Sequence, residues 1–339
     1  MDKFKNIPIL FETYRKFPDK EWYIFIDGDS FLFTANLLRY LRHKYNPVKE
    51  VYLGSQTSIE NVDFAHGGTG YVISQAAARK AVIDNPNLEH AYEDFAVKDC
   101  CGDRVIAAML KSIGVDLSNE RERVQGEPWW GIRWGEHNWC NPILTFHHVS
   151  PAQIQDLWEF ERGMEKKLNA GRNDNKFILH SDVYHHFVKP HLSSFEPDWE
   201  NFSDDDWIKY PPSLPNGADP PTTTIEVEKI EDIDLREKWD KFLKRTKTEL
   251  QAMEKRDKCA QVCREREKCL QWKWMKGKCA LHEKMAFGAR MTNTEGDRFD
   301  SGWLLDRIDG LRKRMPCEKG RMGGFPAEEK TGSGKGKGV

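Results

Sequence analysis

Apolar residues in this chain come in short blocks, and the sharpest is Glu21 to Phe33, EWYIFIDGDSFLF. Trp22, Tyr23, Ile24, Phe25 and Ile26 run together and stop at two carboxylates one residue apart, Asp27 and Asp29. Five bulky residues in a row predict a strand buried on both faces, with its end at a ligand-binding edge. Ahead of it, Phe4 to Phe17 (FKNIPILFETYRKF) predicts a helix closed by Pro18. Behind it, Thr34 is placed to cap a helix through Tyr45 with Leu37, Leu38 and Leu41 inward, and Val51 to Ser55 (VYLGS) reads as a second strand. The alternation of helix and strand predicts an α/β sheet.

Three further segments add chemistry. Phe64 to Tyr71, FAHGGTGY, precedes a helix capped at Ser74, so Gly67, Gly68 and Gly70 are expected to let backbone amides approach a ligand. Its spacing is neither a dinucleotide fingerprint nor a P-loop, and a structural turn is the plainer alternative. His66 beside it reads as a solvated or hydrogen-bonded loop residue, with ligation as the alternative. In Tyr92 to Val115, Asp103 opens a helix whose Val105, Ile106, Met109 and Leu110 face inward; it is a cap or a general base, and Glu93 and Asp94 compete for the second role. Leu144 to Val149 predicts a strand ending near His147 and His148, only one of which faces the acidic pair if the strand continues.

The last third changes character. Arg172 to Thr224 is rich in Asp, Pro, Ser and Asn, which predicts a linker or surface excursion, with His180, His185, His186 and His191 solvated or partly buried in it. Glu231 to Lys258 predicts a charged helix running into Cys259, Cys263, Cys269 and Cys279, a helix stapled to a small hairpin. Zinc is the competing reading, disfavoured because the spacing is not that of a standard finger. Met322 onward predicts a flexible basic tail.

Composition then narrows the address and the partners. With 339 residues and a formal charge of −2, the chain holds a substantial core and gives no electrostatic argument for nucleic acid. No apolar run reaches the length of a membrane span, and the first residues lack a signal-peptide hydrophobic region. Eight cysteines, four of them crowded into 21 residues, point instead to an oxidising compartment. Aromatic content of 12% with 12 Trp fits sugar stacking or a large core; Trp129, Trp130, Trp134 and Trp139 fall within eleven residues.

Taken in order, WYIFIDGDSFLF, YLGS, FAHGGTGYVIS, the acidic CCGD before a helix and FHHVSP resemble the β1,3-glycosyltransferases of the fringe and core-1 galactosyltransferase type, closest to a fungal branch. The resemblance runs from about Phe4 to Met164. It implies a partial GT-A type α/β sheet with flanking helices over residues 1–170; the residue pattern adds a Pro/Asp-rich linker or excursion 171–230, a charged helix and cysteine module 231–315, and a flexible basic tail 316–339. It implies inverting transfer of a hexose from a UDP-sugar to a glycan or glycoprotein acceptor with Mn²⁺ or Mg²⁺. Carried onto this chain, Asp27 and Asp29 hold metal and diphosphate, His147 is the third protein ligand, Asp103 is the acceptor-side base, and Gly67, Gly68 and Gly70 line the sugar pocket. Gly28 and CCGD depart from the usual forms of their motifs. Family members carry a nucleotide-binding portion and a membrane anchor ahead of the acidic strand; only 21 residues precede Trp22 here, so a shortened chain or lost nucleotide binding is expected. The cysteine segment resembles a PAN/apple module, which implies the pairs Cys259–Cys279 and Cys263–Cys269; Cys100 and Cys101 read as bridged or simply buried, with Cys140 a candidate partner for one of them. The expected address is the secretory pathway, in the Golgi lumen. The alternative function is a non-catalytic carbohydrate- or protein-binding protein with a degenerate transferase domain.

Overall fold

The computed structural model describes residues 2–169, 176–215, 218–292 and 297–317; the expected basic tail from Met322 lies outside them. The chain divides into two compact units, one made of residues 1–126, 137–182 and the segment from 317, the other of 127–136 and 183–316.

The strands of the first unit are β1 (Trp22–Phe25), β2 (Phe31–Leu32), β3 (Tyr52–Gly54), β4 (Gln56–Ile59), β5 (Val62–Ala65), β6 (Tyr71–Ser74), β7 (Leu117–Asn119) and β8 (Thr145–Phe146). A sheet runs β1-β6-β3-β7, with β1 and β3 antiparallel to β6 and only β3–β7 parallel. The strand expected to be buried on both faces is therefore an antiparallel edge. Tyr23 is buried, Trp22, Ile24 and Phe25 are half-buried, and Ile26 is 41% exposed, because β1 has a strand neighbour on one side among the described residues. Its aromatic run serves packing: Phe25 stacks on Tyr71 with centroids 4.6 Å apart.

Alternation along β3 and β6 feeds two cores. On one face Tyr52 and Ile73 pack against Leu10, Phe11 and Tyr14 of the helix Asn6–Lys16 and against Val105, Ile106, Met109 and Leu110 of the helix Gly102–Ser112. On the other, Leu53 and Val72 meet Leu37, Tyr40 and Leu41 of the helix Thr34–Lys44, together with Leu144. Leu38 falls off that stripe and is 37% exposed, and Thr34 is the first helical residue rather than a side-chain cap. Ser74 caps the next helix as expected, accepting from the Ala77 amide.

His180 departs from the solvated loop the sequence implied. It is fully buried, with Nδ1 2.9 Å from the Asn141 carbonyl and Nε2 3.2 Å from the Gln125 amide nitrogen, a pairing that suits the neutral ring. Burial pushes it down to about 4. An unfolded histidine protonates near 6.5, so stability is complete above that pH and is lost as pH falls from about 6.5 to about 4, by an amount on the order of 3 kcal/mol. Denaturant midpoints measured between pH 7 and pH 4.5 should show this loss, and His180→Gln should remove most of it.

In the second unit, β9 (Trp199–Glu200), β10 (Asp206–Lys209), β11 (Gln271–Met275), β12 (Lys278–His282), β13 (Ala289–Arg290) and β14 (Asp300–Trp303) include a sheet ordered β10-β12-β11-β14. The β11–β12 hairpin turns at Gly277, whose φ of +87° suits glycine. The helix Arg256–Glu265 is stapled to it by Cys259–Cys279, and Cys263–Cys269 closes the loop between them. Oxidation of these four sulfurs rules out their holding zinc. Cys140 pairs with Cys317, 177 residues away, and Cys100 with Cys101, so neither joins the other as anticipated. The charged helix breaks into Ile233–Leu243 and Lys247–Glu254, because Thr246 and Glu249 form a capping box.

The Pro- and Asp-rich stretch also does more than connect. It supplies β9 and β10, with Ile208 buried and Asp206 accepting from Arg245 at 2.8 and 3.0 Å. Trp129, Trp134 and Trp139 are all under 9% exposed, so these three serve packing rather than stacking on a ligand. Among the described residues no helix is long and apolar enough to cross a membrane.

Candidate functional site

The acidic turn is positioned by a very short ladder. After β1, the amide of Ser30 returns to the carbonyl of Asp27 (3.2 Å), and β2 pairs antiparallel with β8, Phe31 opposite Phe146. Asp29 precedes that pair by two residues and His147 follows it by one. The Val149 amide then donates to the Asp29 carbonyl at 2.9 Å. The register sets Asp29 Oδ1 3.5 Å from His147 Nε2. These two residues, distant in sequence, are brought together; Asp27 is exposed on the same turn and does not join their close cluster.

His147 is 7% exposed, and its Nδ1 is buried without a hydrogen-bond partner. Burial first, then the neighbouring His148, lowers its proton affinity, with Asp29 opposing. A neutral imidazole has a free lone pair, and with a carboxylate beside it the donor set suits a divalent cation. The residues present therefore fit the metal the resemblance implies.

The two histidines do not alternate as strand residues would. The ladder ends at Phe146, and His148 turns to φ +58°, which folds its ring onto that of His147, centroids 3.7 Å apart and 28° from parallel. Asp29, His147 and His148 each offer a ligand atom within 4.8 Å of one another. His66, read as a solvated loop residue, has its ring centroid 5.4 Å from that of His147.

The glycine loop is held between these groups. Gly67–Thr69 form a 3₁₀ turn that leads into β6, so the glycines precede a strand rather than a helix start, and the amides of Thr69 and Gly70 are used within the turn. Gly70 needs its φ of +82°, and a Cβ there would meet the Phe25 carbonyl at 3.3 Å. A Cβ on Gly68 would overlap the His147 imidazole. Ser30 Oγ donates to the Gly68 carbonyl at 2.5 Å, and the Gly67 N–H donates to Asp103 Oδ2 at 2.7 Å. Asp103 is the second residue of its helix and partly buried. Its rivals stand elsewhere: Glu93 pairs with His90 at 2.6 Å and is 67% exposed, and Asp94 is exposed. Gly68→Ala should displace the imidazole and weaken divalent-ion binding at least roughly tenfold, with a smaller effect on thermal stability; calorimetric titration with Mn²⁺ measures it.

A second acidic cluster, Asp204, Asp205 and His282, lies in the other unit. There the Arg133 guanidinium already sits against His282 Nε2 (2.7 Å) and both oxygens of Asp204 (2.9 Å each), so the cation is supplied by the chain.

A family model described as Fringe-like matches residues 8–121. The matched span holds Asp27, Asp29, Gly67, Gly68, Gly70 and Asp103, whereas His147 lies beyond it. Similarity to the Fringe-like family points to glycosyltransferase chemistry, with a sugar donor and a glycan acceptor as the partners of such a reaction.

Proposed function

We propose that the chain carries the catalytic centre of an inverting β1,3-glycosyltransferase that moves a hexose, galactose or N-acetylglucosamine, from a UDP-sugar to a glycan or glycoprotein hydroxyl. The observation that carries this reading is the approach of Asp29 and His147 to 3.5 Å beside a glycine loop that is bonded to Asp103. Asp29 and neutral His147 hold a divalent ion, Mn²⁺ or Mg²⁺, and Asp27 flanks them toward the donor. When bound, the ion offsets the negative charge that grows on the departing diphosphate.

Asp103 takes the proton of the acceptor hydroxyl, whose oxygen bonds to the anomeric carbon as the carbon–oxygen bond to UDP breaks on the opposite face. The Gly67 amide fixes one oxygen of that carboxylate and so orients it. Gly67, Gly68 and Gly70 line the sugar side of the site, and the absence of a side chain on Gly68 leaves room for the His147 imidazole. Four disulfides suit an oxidising lumen, consistent with an enzyme of the Golgi. The full-length protein incubated with UDP-galactose or UDP-N-acetylglucosamine should release UDP only when Mn²⁺ or Mg²⁺ is present; release unaffected by chelator, or none with either donor, contradicts the proposal.

The second unit favours a further reading. Its helix stapled to a hairpin is of the kind found in PAN/apple binding modules, and a non-catalytic carbohydrate- or protein-binding role fits it. In that case titration of UDP with Mn²⁺ gives no heat, while an immobilised glycan or protein ligand still retains the chain.

A further inference from the structure

We propose that His148 is a second imidazole ligand of the same ion, so that the site takes a borderline transition metal such as Zn²⁺ or Co²⁺ in preference to Mg²⁺. This rests on the shared-ion reading above and goes beyond it in the donor set and in the class of ion. Three observations converge on it. The Nε2 of His147 stands 3.5 Å from Asp29, and a ligand atom of His148 falls within 4.8 Å of both partners. Two ligands on one ion with bonds of about 2.1 Å lie roughly 3–4.2 Å apart, so from within 4.8 Å closure needs movements of up to roughly 2 Å.

The second observation is the backbone. His148 adopts φ +58°, a conformation that costs a residue with a Cβ energy that glycine avoids. Strain of this kind persists where the surroundings enforce it, and here its effect is to keep the exposed ring beside the buried one, from which it has to tilt off the stack to aim its in-plane lone pair at a shared ion. An extended residue 148 would instead point away from His147.

The third is the chemistry of the set. One carboxylate oxygen and two imidazole nitrogens are a softer environment than the all-oxygen shell Mg²⁺ prefers. Imidazole suits zinc, copper, iron and nickel, and affinity at such sites rises from Mn²⁺ through Co²⁺ toward Cu²⁺. His66, with its ring centroid 5.4 Å from that of His147, adds a further nitrogen at the rim of the site without belonging to the close cluster.

The test is nitrogen-15 NMR of the histidine rings in the full-length protein during titration with Zn²⁺, paired with calorimetry for Zn²⁺ and Mg²⁺. His148→Gly keeps the backbone conformation, since glycine favours positive φ, and its thermal unfolding reports that the fold survives. The proposal expects ring-nitrogen shifts of metal ligation in both His147 and His148, Zn²⁺ affinity reduced at least tenfold in His148→Gly, and a clearly smaller loss of Mg²⁺ affinity. Ligation shifts in His147 alone, with Zn²⁺ affinity the same in His148→Gly, overturn the role of His148 and leave the shared-ion reading standing. Shifts in neither ring, with no Zn²⁺ heat in the wild-type protein, overturn both.

Discussion

Replacing Asp103 by Asn should lower sugar transfer by about 10²–10⁴-fold while donor and ion binding stay as they were, the range expected when a general base is lost. The substitution is nearly isosteric, and the amide oxygen of Asn can still accept the Gly67 N–H that the carboxylate accepts at 2.7 Å, so the glycine loop should keep its shape. What disappears is the capacity to take a proton. Rates of transfer to an acceptor, set beside calorimetric binding of UDP with Mn²⁺, separate the two effects. If transfer survives in Asp103→Asn, the base lies elsewhere, although Glu93 is already engaged with His90 on an exposed helix.

Asp29→Ala is expected to have the other large effect. Asp29 supplies the carboxylate of the proposed ion site, 3.5 Å from His147, and its removal leaves only imidazoles to hold a divalent cation there. Ion affinity should fall by more than the roughly 10–100-fold typical of losing a supporting contact, and UDP release by on the order of 10³-fold, comparable to losing a group that stabilises charge in the transition state. Because the side chain is 53% exposed, thermal stability should hardly change, which distinguishes loss of function from loss of fold. Binding heats for Mn²⁺ that match the wild-type protein would remove Asp29 from the site.

Several elements were legible because local pattern and tertiary environment agree. The helix Gly102–Ser112 buries the four residues its spacing marks, Ser74 caps the helix behind β6, and the two disulfides of the cysteine module pair as the resemblance implied. Others were hidden for physical reasons. An aromatic run such as Trp22 to Phe25 looks the same whether a strand has one neighbour or two, so the edge position of β1 has no signature. A ladder as short as β2–β8 is below the length at which alternation means anything, yet that ladder sets Asp29 against His147.

The arrangement of the two histidines was unreadable for a different cause. Strand alternation separates neighbouring side chains, and nothing in the letters of FHHVSP announces a left-handed backbone at a residue other than glycine. His66 is exposed, as its loop position suggests, but its proximity to His147 had no signature, since it depends on the chain folding the glycine turn against the imidazole. β10 carries one buried aliphatic residue, Ile208, among acids and prolines, too little for a periodic signal. The bond from Cys140 to Cys317 spans 177 residues, a separation over which sequence alone offers no means of choosing partners.

The central claim is that Asp29 and His147 share one cation, and anomalous diffraction at the manganese edge from crystals of the protein grown with Mn²⁺ and UDP tests it most directly. The account predicts a peak about 2.0–2.3 Å from the Asp29 carboxylate and from His147 Nε2. A peak at the Asp204, Asp205 and His282 cluster with none beside Asp29 would contradict it.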